Sequence, residues 1–127
     1  MRTTIIASLF TILAITHYAY ADTCPEPSIF NPTSNGFTAK DESGRIWEGE
    51  YWLPEKAYFS FESATYITKD EGEDGIPKTV SQMSCRYGKI AMVLDNVTDW
   101  EPISGEWDND NTCTESIRKC SFSISNK

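Results

Sequence analysis

The stretch Val80–Asp95, VSQMSCRYGKIAMVLD, decides the fold because apolar residues alternate with polar or small ones on both sides of a turn signal. Gly88-Lys89, in the middle, suits the two-residue turn of a β-hairpin. Alternate side chains of a strand lie on one face. The stretch therefore predicts an antiparallel hairpin whose buried face carries Met83, Cys85, Tyr87, Ile90, Met92 and Leu94.

A second hairpin is predicted upstream, in GFTAKDESGRIWEGEYW (36–52). Phe37 and Ala39 fall on one face of its first strand. Asp41-Glu42-Ser43-Gly44 has typical turn chemistry, since Asp and Gly favour tight turns. In the second strand Trp47, Gly49 and Tyr51 alternate with charged residues, so we expect Trp47 in the core.

The rest of the chain adds further short strands separated by turns. Ala57–Phe61 starts one strand, and Ser121–Ser125 forms the last. The segment 69–78, KDEGEDGIPK, has no apolar face and is expected to be an exposed loop. The fold class that follows is all-β: a compact, disulfide-stapled β-sandwich or small barrel of six to eight short antiparallel strands. Residues 22–127 form a single domain.

Residues 1–21 have the features of a secretory signal peptide that is cleaved. The apolar run Ile5–Ile15 would rise only about 16 Å as a helix, too short to span a membrane core of roughly 30 Å. Ala19-Tyr20-Ala21 places small residues where a signal peptidase needs them, so we expect cleavage after Ala21. The predicted location is the periplasm or the extracellular medium.

Cleavage there would remove His17, the only histidine. A Ser-His-Asp or Cys-His hydrolase would then lack its base, and histidine-bearing metal sites are excluded as well. Paired carboxylates remain available, because a glycoside hydrolase needs only two acids at a suitable distance. No serine has a base partner in the sequence. We therefore expect no enzyme, no catalytic residue and no cofactor.

The chain has four cysteines, at positions Cys24, Cys85, Cys113 and Cys120. No two of them have the C-x₂₋₄-C spacing that zinc sites usually use. In an exported chain this spacing predicts two disulfides. Cys113 and Cys120 can close a local loop, which leaves Cys24 with Cys85. The sequence allows three connectivities, and one alternative joins Cys85 to Cys120 and Cys24 to Cys113. We favour the local pair.

The composition is acidic, with 19 Asp and Glu against 11 Lys and Arg, and loss of Arg2 would change the formal net charge from −8 to −9. Such a surface repels nucleic acid and favours a basic partner or a cation. The candidate binding surface combines the densest acidic cluster with two tryptophans outside the predicted core: Asp70, Glu71, Glu73, Asp74, Trp52 and Trp100.

A calcium site is a weak alternative in the D-x-D-x-T arrangement that starts at Asp108 and Asp110. Calcium loops of the EF-hand type end in a bidentate glutamate. Lys119 stands at that position here, so we assign no metal.

Several short motifs carry a family resemblance: Cys24-Pro25, Phe37-Thr38-Ala39, Gly44-Arg45-Ile46-Trp47, Cys85-Arg86-Tyr87, Gly105-Glu106-Trp107 and the closing Cys113…Cys120-Ser121-Phe122. With these motifs the chain resembles a group of small exported bacterial proteins that are catalogued as a domain of unknown function and occur notably in proteobacteria living inside host cells. The resemblance covers nearly the whole mature chain. It implies export and a small disulfide-bearing domain, and it assigns no chemistry and no functional residue.

The function predicted from these observations is that of an exported, monomeric, non-enzymatic binding protein. Its partner would be a basic protein, for example an enzyme that it inhibits. The acidic and partly aromatic surface would bind this partner. A glycan-binding or glycan-active protein that uses exposed tryptophan and an Asp/Glu pair is the alternative. A structural component of the cell envelope is a third possibility.

Overall fold

The computed structural model describes residues 21–50, 59–70, 72, 75 and 79–124. Within these ranges, nine strands form a seven-stranded antiparallel sheet and a separate two-stranded one, so the all-β prediction is confirmed. A short 3₁₀ helix, Pro27–Ile29, precedes them. The strands are β1 Asn31–Pro32, β2 Phe37–Lys40, β3 Ile46–Gly49, β4 Ser63–Asp70, β5 Thr79–Tyr87, β6 Ile90–Asp95, β7 Glu101–Pro102, β8 Thr112–Cys113 and β9 Phe122–Ser123.

The hairpin of β5 and β6 is confirmed in its register. Tyr87 pairs with Ile90, so Gly88 and Lys89 are the two turn residues, and Gly88 has a φ of 70°. The apolar residues at alternate positions are all buried, whereas Arg86 on the other face is exposed. Burial of one face fixes the register, because a slip of one residue would turn every apolar side chain to solvent.

The hairpin of β2 and β3 is confirmed as well, with Ala39 opposite Trp47. Trp47 lies in the core at 1% exposure, as expected from its position in the alternating pattern of the strand. Its indole Nε1 donates to Asp41 Oδ2 over 3.1 Å. The turn that joins the strands therefore also satisfies the polar atom of the largest core side chain.

The large sheet has the strand order β1-β2-β3-β6-β5-β4-β8. It is not a closed barrel: in the described part of the chain, β1 and β8 are its two edges. The two hairpins meet where Glu48 of β3 pairs with Val93 of β6. The approach there is close, since a Cβ on Gly49 would lie 2.7 Å from the Met92 sulfur and the Met92 and Ile90 side chains would have to shift.

A second layer covers the apolar face of the large sheet and gives a sandwich-like arrangement. It consists of the N-terminal segment and the segment that carries β7 and β9, which pair with each other. Phe30 packs edge-on against Tyr87, with ring centroids 5.0 Å apart. The Tyr87 hydroxyl donates to the Pro25 carbonyl over 2.5 Å, so the N-terminal segment is fastened to β5.

Both disulfides have the connectivity that the local-pair prediction gave. Cys24 is bonded to Cys85, and Cys113 to Cys120; the alternative connectivity is wrong. The first disulfide joins the two layers across the core, and the second closes a surface loop. Because disulfides persist in oxidising compartments, this pairing fits an exported protein.

One predicted strand begins later than expected. Phe59–Glu62 lie in no strand, and β4 starts at Ser63, while 57 and 58 lie outside the described residues. Phe59 is buried against Phe30 and Phe37, so burial explains the alternation that resembled a strand. No helix in the described ranges is long and apolar enough to cross a membrane.

Candidate functional site

Two tryptophans are in contact, although seven positions separate them in the chain. The rings of Trp100 and Trp107 are 4.9 Å apart and nearly perpendicular. Trp100 lies parallel to Tyr66 of β4 at 4.8 Å, and Trp107 contacts Phe122 of β9 at 6.2 Å. We call these four residues the aromatic stack. It bridges the two layers, and all its members except Phe122 are partly exposed.

Hydrogen bonds hold the aromatic stack in one arrangement. Trp107 Nε1 donates to the Ser121 carbonyl over 2.9 Å, and the Tyr66 hydroxyl donates to the Val97 carbonyl over 3.1 Å. The same carbonyl accepts from Ser81 Oγ at 2.5 Å. Trp100 Nε1 is buried and has no hydrogen-bond partner in the described ranges. Within the described ranges, Trp100 is held by its ring contacts and by packing against the core.

Acidic residues flank both tryptophans in the chain, in the triplets Asp99-Trp100-Glu101 and Glu106-Trp107-Asp108. We call these four carboxylates the acidic rim, and all four residues are exposed. In the described ranges, Asp99, Glu101 and Glu106 make no side-chain hydrogen bond or salt bridge. The ring contact between the tryptophans therefore brings two acidic segments together, with their charges facing solvent.

Asp108 differs from the other rim residues because the fold uses its carboxylate. Oδ1 accepts the amides of Asp110 and Thr112 at 2.8 and 3.0 Å. Asn111 follows with a φ of 55°. The Asn111 amide donates to the Asp108 carbonyl and the Asp108 amide to the Thr112 carbonyl, so residues 108–112 form a tight turn whose fourth residue is left-handed. Asp108 thus shapes this turn.

Asp108 and Asp110 were the weak calcium candidates. No group of three or more acidic, cysteine or histidine side chains that could hold a metal ion is found in the described ranges. Since one Asp108 oxygen accepts two backbone amides, the turn itself explains why an aspartate stands at this position.

The predicted binding surface is only partly within the described residues. Asp70 ends β4, is exposed, and accepts a hydrogen bond from Thr79 Oγ1 over 3.2 Å. Trp100 belongs to the aromatic stack, and Tyr66 covers one of its ring faces. Three acidic candidates and one tryptophan lie outside the described residues: Glu71, Glu73, Asp74 and Trp52.

The binding surface predicted from the sequence includes Trp100 but neither Trp107 nor the carboxylates beside the two tryptophans. Repetition of the acid–tryptophan–acid triplet was the available signal, since it occurs twice within ten residues. That the two triplets touch is a property of the tertiary structure, because Trp107 also packs against Phe122 of β9 and donates to the carbonyl of Ser121, the residue before that strand.

A separate cleft of about 690 Å³ lies beside the N-terminal segment and the β2–β3 turn. Its lining carries opposite charges in contact, with Arg45 Nη1 3.0 Å from Asp22 Oδ1 and 3.8 Å from Asp41 Oδ2. Nearby, burial raises the pKa of the Tyr87 phenol far above its usual range, and the Glu26 charge adds to the shift. Tyr87 is therefore a neutral core residue.

Comparison with protein-family models, with curated proteins and with solved structures finds no match for this chain. The family resemblance in the motifs stays a prediction.

Proposed function

We propose that this chain is an exported, non-enzymatic binding protein that engages a basic protein through the aromatic stack and its acidic rim. The observation that carries the proposal is the contact between two acid–tryptophan–acid triplets, whose rings are 4.9 Å apart. Flat apolar rings surrounded by carboxylates match a partner surface that presents lysine or arginine around an apolar centre.

The charges support this proposal. Three of the four rim carboxylates have no partner within the described ranges, so they are available to a basic partner without breaking an internal ion pair. Unpaired charges of one sign raise the association rate with an oppositely charged partner. The binding should therefore weaken as the salt concentration rises, because ions screen exposed charges over a Debye length of about 8–10 Å.

The aromatic rings support it as well. Tryptophan is enriched among the residues that dominate binding free energies at protein interfaces. Ring contacts and the Trp107–Ser121 hydrogen bond already fix the geometry of the aromatic stack. Binding would therefore cost little additional side-chain entropy.

The test compares two variants with the same net charge. The rim variant carries Asp99→Asn, Glu101→Gln and Glu106→Gln, which keep size and remove three charges. The control variant carries Glu42→Gln, Glu48→Gln and Glu62→Gln, all exposed and outside the acidic rim. Immobilised protein is exposed to a lysozyme, a ribonuclease and a trypsin-like protease, all basic, at low and high salt.

We expect at least one basic protein to bind, and the rim variant to weaken that binding about 10-fold or more, chiefly through the association rate. The control variant should change it less than about threefold. An equal loss in both variants would show attraction to net charge alone. No binding by any of the three, or no loss in the rim variant, would also refute the proposal.

The glycan alternative requires an aromatic face that a sugar ring can cover. Tyr66 already covers one face of Trp100, and Trp107 approaches it with its ring nearly perpendicular. Binding on a glycan array that disappears in Trp100→Ala would nevertheless support this alternative over the protein partner.

A further inference from the structure

We propose that the mature chain begins at Asp22, and that this first residue acts as a clamp that fastens the two chain ends to the β2–β3 turn. The modification site is the Ala21–Asp22 peptide bond, which a signal peptidase would hydrolyse. The inference concerns processing and stability, so it does not depend on the proposed binding function.

The backbone of Asp22 is paired with the last strand. Its N–H donates to the Phe122 carbonyl over 2.8 Å, and its carbonyl accepts from the Phe122 N–H over 2.9 Å. Phe122 is fully buried. Asp22 is thus held by a reciprocal pair of hydrogen bonds to a core residue at the other end of the chain.

The side chain of Asp22 makes two further contacts. Oδ1 accepts from Arg45 Nη1 at 3.0 Å, and Oδ2 accepts from the Ile124 N–H at 3.4 Å. Arg45 in turn donates from Nη2 to the Ile124 carbonyl at 3.4 Å. One carboxylate therefore connects the N-terminal residue, the β2–β3 turn and the segment after β9.

These contacts place the cut before Asp22. The side chains of Arg45 and Asp22 are only 13% and 19% exposed, so their pairing is largely shielded from water. A cut after Asp22 would remove the carboxylate at 3.0 Å and leave Arg45 with Asp41 at 3.8 Å. Removing the closer partner of a shielded arginine lowers the stability of the folded state, because its charge is left poorly compensated. Ala21 itself is exposed.

Hydrolysis fits the site chemically. Water adds across the peptide bond, so Ala21 keeps a carboxylate and the nitrogen of Asp22 becomes an ammonium group. That ammonium can still donate to the Phe122 carbonyl. It also adds a positive charge to a cleft whose lining includes the acids Asp22, Glu26, Asp41 and Glu42 against Lys40 and Arg45. The added charge is favourable, because acids outnumber bases around it.

The first experiment determines the mature start. The full chain is produced in a bacterium that exports it, and the intact mass of the exported protein is measured. A mass that corresponds to residues 22–127 supports the proposal. A chain that begins after Asp22, or one that retains residues before it, overturns the assigned cut.

The second experiment tests the clamp in the same exported protein. Asp22→Ala is compared with Glu26→Ala, a matched control because Glu26 is an exposed acid that lines the same cleft. We expect the unfolding temperature to fall by about 5–10 °C for Asp22→Ala, against about 2 °C or less for the control. Each intact mass is checked, so that a changed cut is not mistaken for lost stability.

A third variant, Arg45→Met, measures the energetic coupling between Asp22 and Arg45. If Asp22 acts through Arg45, the Asp22→Ala, Arg45→Met double variant should lose less than the sum of the two single losses. Equal losses for Asp22→Ala and Glu26→Ala, or additive losses in the double variant, would overturn the clamp even if the cut is confirmed.

Discussion

Removal of the two disulfides should cost different amounts, because they close loops of very different length. Cys24 and Cys85 are separated by 61 positions, and Cys113 and Cys120 by 7. In the chain-entropy model, loops of these lengths contribute about 4.3 and about 2.4 kcal/mol. All four cysteines are at most 1% exposed, so the loss of two buried sulfurs is a similar cost in each pair. The entropy difference of about 2 kcal/mol should therefore remain.

The measurement is urea unfolding of the wild type and of two variants, Cys24→Ala with Cys85→Ala and Cys113→Ala with Cys120→Ala. The first variant should lose more free energy of unfolding. Its urea dependence should also be steeper, because the unfolded chain exposes more surface without the long-range link. If this variant is unfolded in water, all three proteins are compared in a stabilising osmolyte. Equal losses, or a larger loss for the short loop, would contradict the dependence of disulfide stabilisation on loop length.

Four further variants test the packing of the sheet and its turns. Gly36→Ala should lower the free energy of unfolding by about 3 kcal/mol or more in urea, since its Cβ would lie 1.8 Å from the Gly49 carbonyl oxygen. The pKa of Tyr87 is raised above its ordinary value of 10.0, so the unfolded chain binds fewer protons above that pH. Stability should then fall there by up to about 1.4 kcal/mol per pH unit, and Tyr87→Phe should reduce that slope in alkaline unfolding curves. In thermal unfolding, Asp41→Ala should lower the free energy of unfolding by about 3 kcal/mol and Asp108→Ala by about 1.5 kcal/mol. The difference is expected because only Asp41 also accepts a hydrogen bond from a buried indole. Equal costs would contradict this.

The two hairpins were predictable because their signals are local. Gly88 supplies the positive φ that the tight turn needs, and the alternation on each side assigns one face to the core. Both constraints act within a few residues. At Phe59, by contrast, the alternation is present but no strand forms. Alternation indicates which side chains are buried, but it does not show whether a neighbouring backbone completes a ladder.

The aromatic stack was not predictable in the same way. Trp100 and Trp107 are close in the chain, but their geometry depends on Tyr66 and Phe122, which come from β4 and β9. A sequence pattern carries no information on which strand of one layer covers which strand of the other. The disulfide pairing was open for the same reason, since it depends on the N-terminal segment crossing β5.

In a chain with 19 acidic residues, the informative distinction is between carboxylates that the fold uses and those that it does not. Asp41 and Asp108 make the same contacts in two different turns: each Oδ1 accepts the amides two and four residues later. Both aspartates are therefore explained by local structure. Asp99, Glu101 and Glu106 have no such use in the described ranges, yet they surround two tryptophans held in fixed contact. Exposed carboxylates that make no contact within the described ranges, next to aromatic rings held in contact, are the observation on which the proposed binding surface rests.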